Sequence, residues 1–150
     1  MNLVEVLEEK GIKLDDIENS AMELFVPHGS LENKNQASEA FKKILASALK
    51  DTNISALVLA GLLLDECGGK GAIPGLDIID FKNDSVHIIA DEILGMAIAE
   101  YIGGTKARFE YVRYDMKKPG ILGELGPFTD DVICGLIAGA SSQMYSEALK

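Results

Sequence analysis

A chain of 150 residues with 47% hydrophobic and 25% charged residues has the composition of one globular domain, not of a disordered segment. Its 24 acidic residues against 14 basic ones give a formal charge of −10, which argues against nucleic acid as a partner. No apolar run reaches the roughly 18 residues of a membrane span, and the start MNLVEVLEEKG is acidic, unlike a secretory signal, so a soluble, cytoplasmic protein is expected.

In chain order, Leu3, Val6 and Leu7 have helical spacing that Gly11 ends. Asp15 or Asp16 can open a second helix through Ile17, Ala21, Met22, Leu24 and Phe25, stopped by Pro27. The polar loop PHGSLENKN follows, then a third helix, ASEAFKKILASALK, with Phe41, Ile44, Leu45, Ala48 and Leu49 on one face. Asp51 or Asn53 caps ISALVLAGLLLDE, whose Ile54–Leu64 run is apolar all round and predicts a central, buried helix ending at Gly68-Gly69. CGGKGAIPG is a breaker-rich loop. LDIIDF has no strand partner and reads as irregular.

Asn83, Asp84 or Ser85 then caps a buried helix over VHIIADEILGMAIAEYI, Val86 to Ile102, closed by Gly103-Gly104. Ala107 to Met116 is a short helix halted before Pro119. After KPGILGELGPF, Thr129 caps a last helix from Asp130 to Ala148. The pattern predicts an all-α fold, one domain over residues 1–150, of six to seven helices around the Ile54–Leu64 helix. Gly95 and Ala99, like Gly135 and Gly139, sit four apart and predict close approach of helix backbones, with Asp91 on the same face as Gly95.

Several acids stand where composition alone would not put them. Asp91 and Glu92 lie among apolar residues with no adjacent cation, and an unpaired carboxylate taken from water costs several kcal/mol. Asp115 stands between Arg113 and Lys118 in RYDMKKP, and Asp130 and Asp131 open an otherwise apolar helix. Asp65 and Glu66, beside the glycine-rich loop, are a weaker candidate. Acids gathered in an acidic protein repel one another unless a cation shares them. Oxygen-only ligands favour a hard ion, Mg²⁺ where substrate phosphate completes the shell. Arg113 and Lys118 suit that phosphate, so the constellation predicts a Mg²⁺-dependent phosphoryl site.

Helix-terminus electrostatics and surface pairing are the plainer reading of Asp130, Asp131 and Asp115. His87, four residues before Asp91, suits a supporting role or none. His28 carries no signal, and Cys67 and Cys134 fit no metal spacing.

DEILG (Asp91, Glu92, Gly95), RYDMKKPGI (Arg113, Tyr114, Asp115, Lys118, Pro119) and DDVICGLIAG (Asp130, Asp131), together spanning residues 88–140, resemble the phosphatidylglycerophosphatase A family. That resemblance implies an all-α fold and Mg²⁺-dependent phosphomonoester hydrolysis. In it, Asp91, Glu92, Asp130 and Asp131 would hold Mg²⁺, Arg113 and Lys118 would bind the phosphoryl oxygens, and Asp115 would bind a second metal or position water. The chain departs from the membrane-bound members by lacking transmembrane segments and their glycine- and threonine-rich opening. Its acidic helical start and AMELFVPHG are similar to the soluble branch that includes α-ribazole-phosphate phosphatase of cobalamin biosynthesis.

The expected partner is a small phosphorylated substrate, with peripheral membrane contact and a homodimer left open. The alternatives are a phosphatidylglycerophosphate phosphatase working at a membrane surface and, in a different class, a non-catalytic helical interaction module.

Overall fold

Eight α-helices and one 3-10 turn make up the regular structure of the computed structural model, which describes residues 1–85 and 87–150. They are α1 (Leu3–Glu9), α2 (Leu14–Glu23), α3 (Lys34–Ala48), α4 (Thr52–Gly69), α5 (Ile78–Lys82), α6 (Ala90–Gly103), α7 (Ala107–Lys117), the 3-10 turn Gly120–Gly123, and α8 (Pro127–Glu147). The all-α expectation holds: a lone bridge between His28 and Leu31 is the one β-type pairing among the described residues. The helix count exceeds the expected six to seven because LDIIDF is not irregular. It winds into α5, where the Asp77 side chain accepts the Asp80 N–H and so nucleates the turn.

The centre of the bundle is α8, not the Ile54–Leu64 helix. Every residue of α8 from Phe128 to Ser142 is buried, and α2, α3, α4, α6 and α7 all pack on it. α4 buries Ile54, Val58 and Leu62 but leaves Leu59 and Leu63 40% and 47% exposed. Apolarity on all sides failed to mark the centre because α8, rich in Gly, Ala and Ser, admits backbones closer than a Leu-rich helix can. The glycine spacing did mark that approach. A Cβ on Gly135 would lie 2.4 Å from the Gly95 carbonyl oxygen, and one on Gly95 would lie 2.4 Å from that of Asp131. α6 and α8 therefore meet backbone to backbone.

Two helix starts differ from expectation, and both concern the acids. The expected opening at Val86 lies outside the described residues. The next residues, His87 to Ile89, are not helical and α6 begins at Ala90. Asp91 and Glu92 thus sit in its first turn, where the unpaired N–H groups and helix dipole favour a carboxylate. α8 begins at Pro127, and Thr129 is not its cap. The Asp65 carboxylate, reaching from α4, accepts the N–H groups of Phe128 at 2.9 Å and Thr129 at 2.8 Å. Capping thus borrowed from another helix fixes the end of α8 that carries Asp130 and Asp131.

Candidate active site

Asp130 and Asp131 sit one turn into α8, 5% and 3% exposed, and Asp91 is 2% exposed on α6 across the glycine contact. Asp115 joins them from α7, on the face that also carries buried Tyr111 one turn earlier. Asp115, Asp130 and Asp131 each bring a carboxylate oxygen to within 4.8 Å of the other two. The Asp91 carboxylate is within hydrogen-bonding reach of Asp131 and accepts the Glu92 N–H at 2.8 Å. Glu92 is the more exposed of the adjacent pair and stands at the rim, where it feels Asp115 and Asp91.

Lys118 supplies the facing cation. It closes α7 in a left-handed conformation, φ 46°. That turn carries its ammonium to Asp115, 2.9 Å away, and to Asp130. Burial would lower the Lys118 pKa, but the Asp130 and Asp115 carboxylates hold it above its ordinary value.

Asp130 and Asp131 are held above the usual carboxylate range. Burial pushes Asp130 up to about 6 against the pull of Lys118. Burial, then the neighbouring Asp91, pushes Asp131 up to about 9. Burial raises Glu92 as well, with Asp115 adding to it. One side chain of this group, Asp84, entered the sequence analysis only as a helix cap. It holds φ 49° just ahead of α6, and burial and Asp91 raise its pKa. Its signal in the sequence was weak, an Asp in a turn, the kind of residue that tolerates a left-handed backbone. Tyr111 was also missed. Its buried hydroxyl faces Asp131 without a partner among the described residues, and burial drives its pKa upward.

Asp130 Oδ1 is likewise buried without a partner. An orphaned carboxylate oxygen beside two further carboxylates, with no nitrogen or sulfur donor among the three residues, fits a small hard cation. Asp115, Asp130 and Asp131 are the residues placed to hold one, with Asp91 supporting Asp131 from behind.

Arg113 is not brought to this cluster. Two positions from Asp115 on a helix is about 200° of rotation, so α7 cannot offer both side chains to one site. The Arg113 guanidinium pairs instead with Glu110, donating from Nε at 3.2 Å and Nη2 at 2.9 Å. A further Nη1 donor reaches the Leu24 carbonyl, and the group lies 5.0 Å from the Tyr114 ring centre. Glu66 is paired with Lys10 at the surface. His87 is exposed in a turn, and His28 stands edge-on to Tyr145 at 5.5 Å.

Comparison with known proteins relates the fold and the sequence to others. The low temperature requirement C protein of Listeria monocytogenes superposes with a TM-score of 0.81 at 24% identity, covering 97% of this chain and 93% of that one. The ypjQ protein of Bacillus subtilis does so with a TM-score of 0.75 at 24% identity, covering 97% and 91%. At those identities the likeness is one of fold. The uncharacterized protein MJ1330 of Methanocaldococcus jannaschii is 39% identical over 131 residues, 85% of this chain and 98% of its own length. The model of the phosphatidylglycerophosphatase A family matches residues 22–146, a span that takes in α6, α7 and the acid-bearing end of α8. The chain therefore belongs to the phosphatidylglycerophosphatase A family, a family of phosphatases.

Proposed function

We propose that this chain is a Mg²⁺-dependent phosphomonoester hydrolase of a small nucleoside-like substrate, with α-ribazole phosphate of cobalamin biosynthesis the first choice. One observation carries the reading: Asp115, Asp130 and Asp131 converge from two helices within 4.8 Å, beside the Lys118 ammonium. The N-terminal likeness to the soluble branch, an acidic helical start followed by AMELFVPHG, supports the choice of substrate.

In this mechanism Asp115, Asp130 and Asp131 would hold Mg²⁺, and the bound ion would supply positive charge to a phosphoryl group that spreads negative charge over its oxygens. Lys118 gives up part of its contact with Asp115 and Asp130 and donates to a non-bridging oxygen. Asp91 keeps the Asp131 carboxylate in register from α6. Glu92 and Asp84, both raised by burial above the ordinary carboxylate value, stand at the rim to orient the attacking water and accept its proton. Water oxygen then bonds to phosphorus as its proton passes to one of these carboxylates, the bond from phosphorus to the ester oxygen breaks, and the departing alkoxide takes a proton from solvent.

Phosphate release over a panel of monoesters that includes α-ribazole phosphate and phosphatidylglycerophosphate, with Mg²⁺ and with EDTA, tests this. Mg²⁺-dependent turnover highest on the ribazole ester is expected. Release that EDTA leaves untouched, or none from any ester, would overturn it. The latter is what a non-catalytic helical module predicts.

A second reading has its own support. Large apolar side chains stand exposed on the outer faces of α6 and α7: Ile93 is 61% exposed, Phe109 76% and Met116 78%. Such exposed apolar side chains suit contact with a membrane surface that presents a lipid monoester. Preferred turnover of phosphatidylglycerophosphate in vesicles, lost in Phe109→Ser/Met116→Ser, would favour it over the first.

A further inference from the structure

Across α7 from the acids lies a concavity of about 430 Å³, large enough for a small organic molecule. It is bounded by the α2–α3 loop, α7 and the C-terminal half of α8. Ser142 lies eleven positions along α8 from Asp131, roughly 16 Å of helix. The cavity shares none of its lining residues with the acid cluster.

Its chemistry is the reverse of that cluster's. In a chain of net charge −10, Lys106 and Arg113 both face it, opposed by the single carboxylate of Glu110. Glu110 is already engaged by Arg113 in a two-point pair. Of the five N–H donors of a guanidinium, Arg113 uses one on Nε, one on Nη2 and one on Nη1, and two remain. Lys106 has no ion pair among the described residues. Ser142 and Ser146 add hydroxyls to the wall. Donors thus outnumber acceptors, which is the signature of a site for an oxyanion. Val26, Leu149 and the Tyr145 ring make up its apolar side, with the ring held by Phe25 stacked at 6.2 Å and by the hydrogen bond from the Val26 N–H to its hydroxyl.

We infer that this cavity binds a small organic oxyanion, a phosphonate, phosphate or carboxylate group on an aromatic or apolar body. Its anionic head meets Lys106 and Arg113, and its body lies against Tyr145, Val26 and Leu149. The inference also gives Arg113 an occupation: turned from the acids, its fork is fixed by Glu110 and Leu24 so that the remaining donors are aimed before any ligand arrives. It does not rest on the phosphatase reading, and either can fail alone.

The test follows amide NMR shifts of the full chain in EDTA during titration with phenylphosphonate, whose carbon–phosphorus bond resists phosphomonoester hydrolysis, and with benzoate. Benzyl alcohol is the uncharged control. Shifts are expected at Val26, Lys106, Ser142 and Ser146, with one or both anions, and weaker or none with the alcohol. Lys106→Glu, at an exposed position, should weaken binding by about tenfold or more. Ser146→Phe should block it by filling the cavity, while the rest of the spectrum shows that each variant is folded. Shifts at Asp91, Asp115 and Asp131 instead, equal binding of benzyl alcohol, or affinity unchanged in Lys106→Glu would each overturn the inference. A phosphonate response without a benzoate response narrows the head group to phosphate-like anions and upholds it.

Discussion

Asp131 concentrates the tension of this fold. It is almost wholly buried, its pKa is raised to about 9, and Asp91 stands behind it. A carboxylate kept there without a cation must hold a proton at neutral pH or repel its neighbours. Replacing it by Asn, nearly the same shape and never charged, removes that conflict. Asp131→Asn should therefore melt no lower than the parent in EDTA, while losing the rise in Tm that Mg²⁺ gives the parent. Its phosphatase activity should fall by about a hundredfold or more, the scale of lost charge stabilisation in a reacting site. Parallel melting curves with and without Mg²⁺, beside phosphate release, check this. An Asn variant still stabilised by Mg²⁺ would remove Asp131 from the metal set. Asp91, Asp130 and Asp131 were legible in the sequence because acids in apolar surroundings need a partner, and Asp115 because it is interleaved with Arg113 and Lys118. Arg113 was misplaced because proximity in sequence to Asp115 concealed a half-turn of rotation about α7. Asp84 was missed because only the tertiary fold brings a turn residue to Asp91.

At the scale of elements, the site exists because α6 and α8 touch without side chains between them. The spacing of Gly95 and Ala99, and of Gly135 and Gly139, marked each helix in the sequence as closely approached, without saying by which partner, since glycine inside a helix is unfavourable by about 1 kcal/mol against alanine without a reason to be there. The centrality of α8 was less legible. Hydrophobicity ranks helices by what their side chains prefer, whereas the centre went to the helix that others can approach most closely. Gly135→Ala tests the contact. Its Cβ would fall 2.4 Å from the Gly95 carbonyl oxygen, a backbone atom that cannot rotate away. The better helix propensity of alanine should be outweighed, for a net loss of about 1–3 kcal/mol in urea unfolding. Because α6 must shift to make room, Asp91 should move off Asp131 and Mg²⁺ stabilisation should weaken as well. A surface alanine such as one at Gly69, whose Cβ would meet nothing within 4 Å, is the matched control.

For the whole molecule, these local tensions set how stability follows pH. Asp130 and Asp131 carry folded-state pKa values of about 6 and about 9, against about 3.9 for an unfolded Asp. Between those limits the native state binds more protons than the unfolded one, so the slope of unfolding free energy with pH is negative. The metal-free protein should lose stability steadily as pH rises from 5 to 9. Asp84 and Glu92, raised in the same direction, add to the trend. The lowered acids are Asp51, half-buried, and Glu66, exposed, and their contribution fades only as pH falls through their folded pKa values, below the window in question. Saturating Mg²⁺ should flatten or reverse the slope, because carboxylates that ligate a cation bind it only when ionised and the metal's stabilisation grows as protons leave. Thermal melts from pH 5 to pH 9, in EDTA and in Mg²⁺, therefore give two curves that diverge upward in pH. Curves that ran parallel would show that the acids do not share the ion, whatever the phosphatase assay reads.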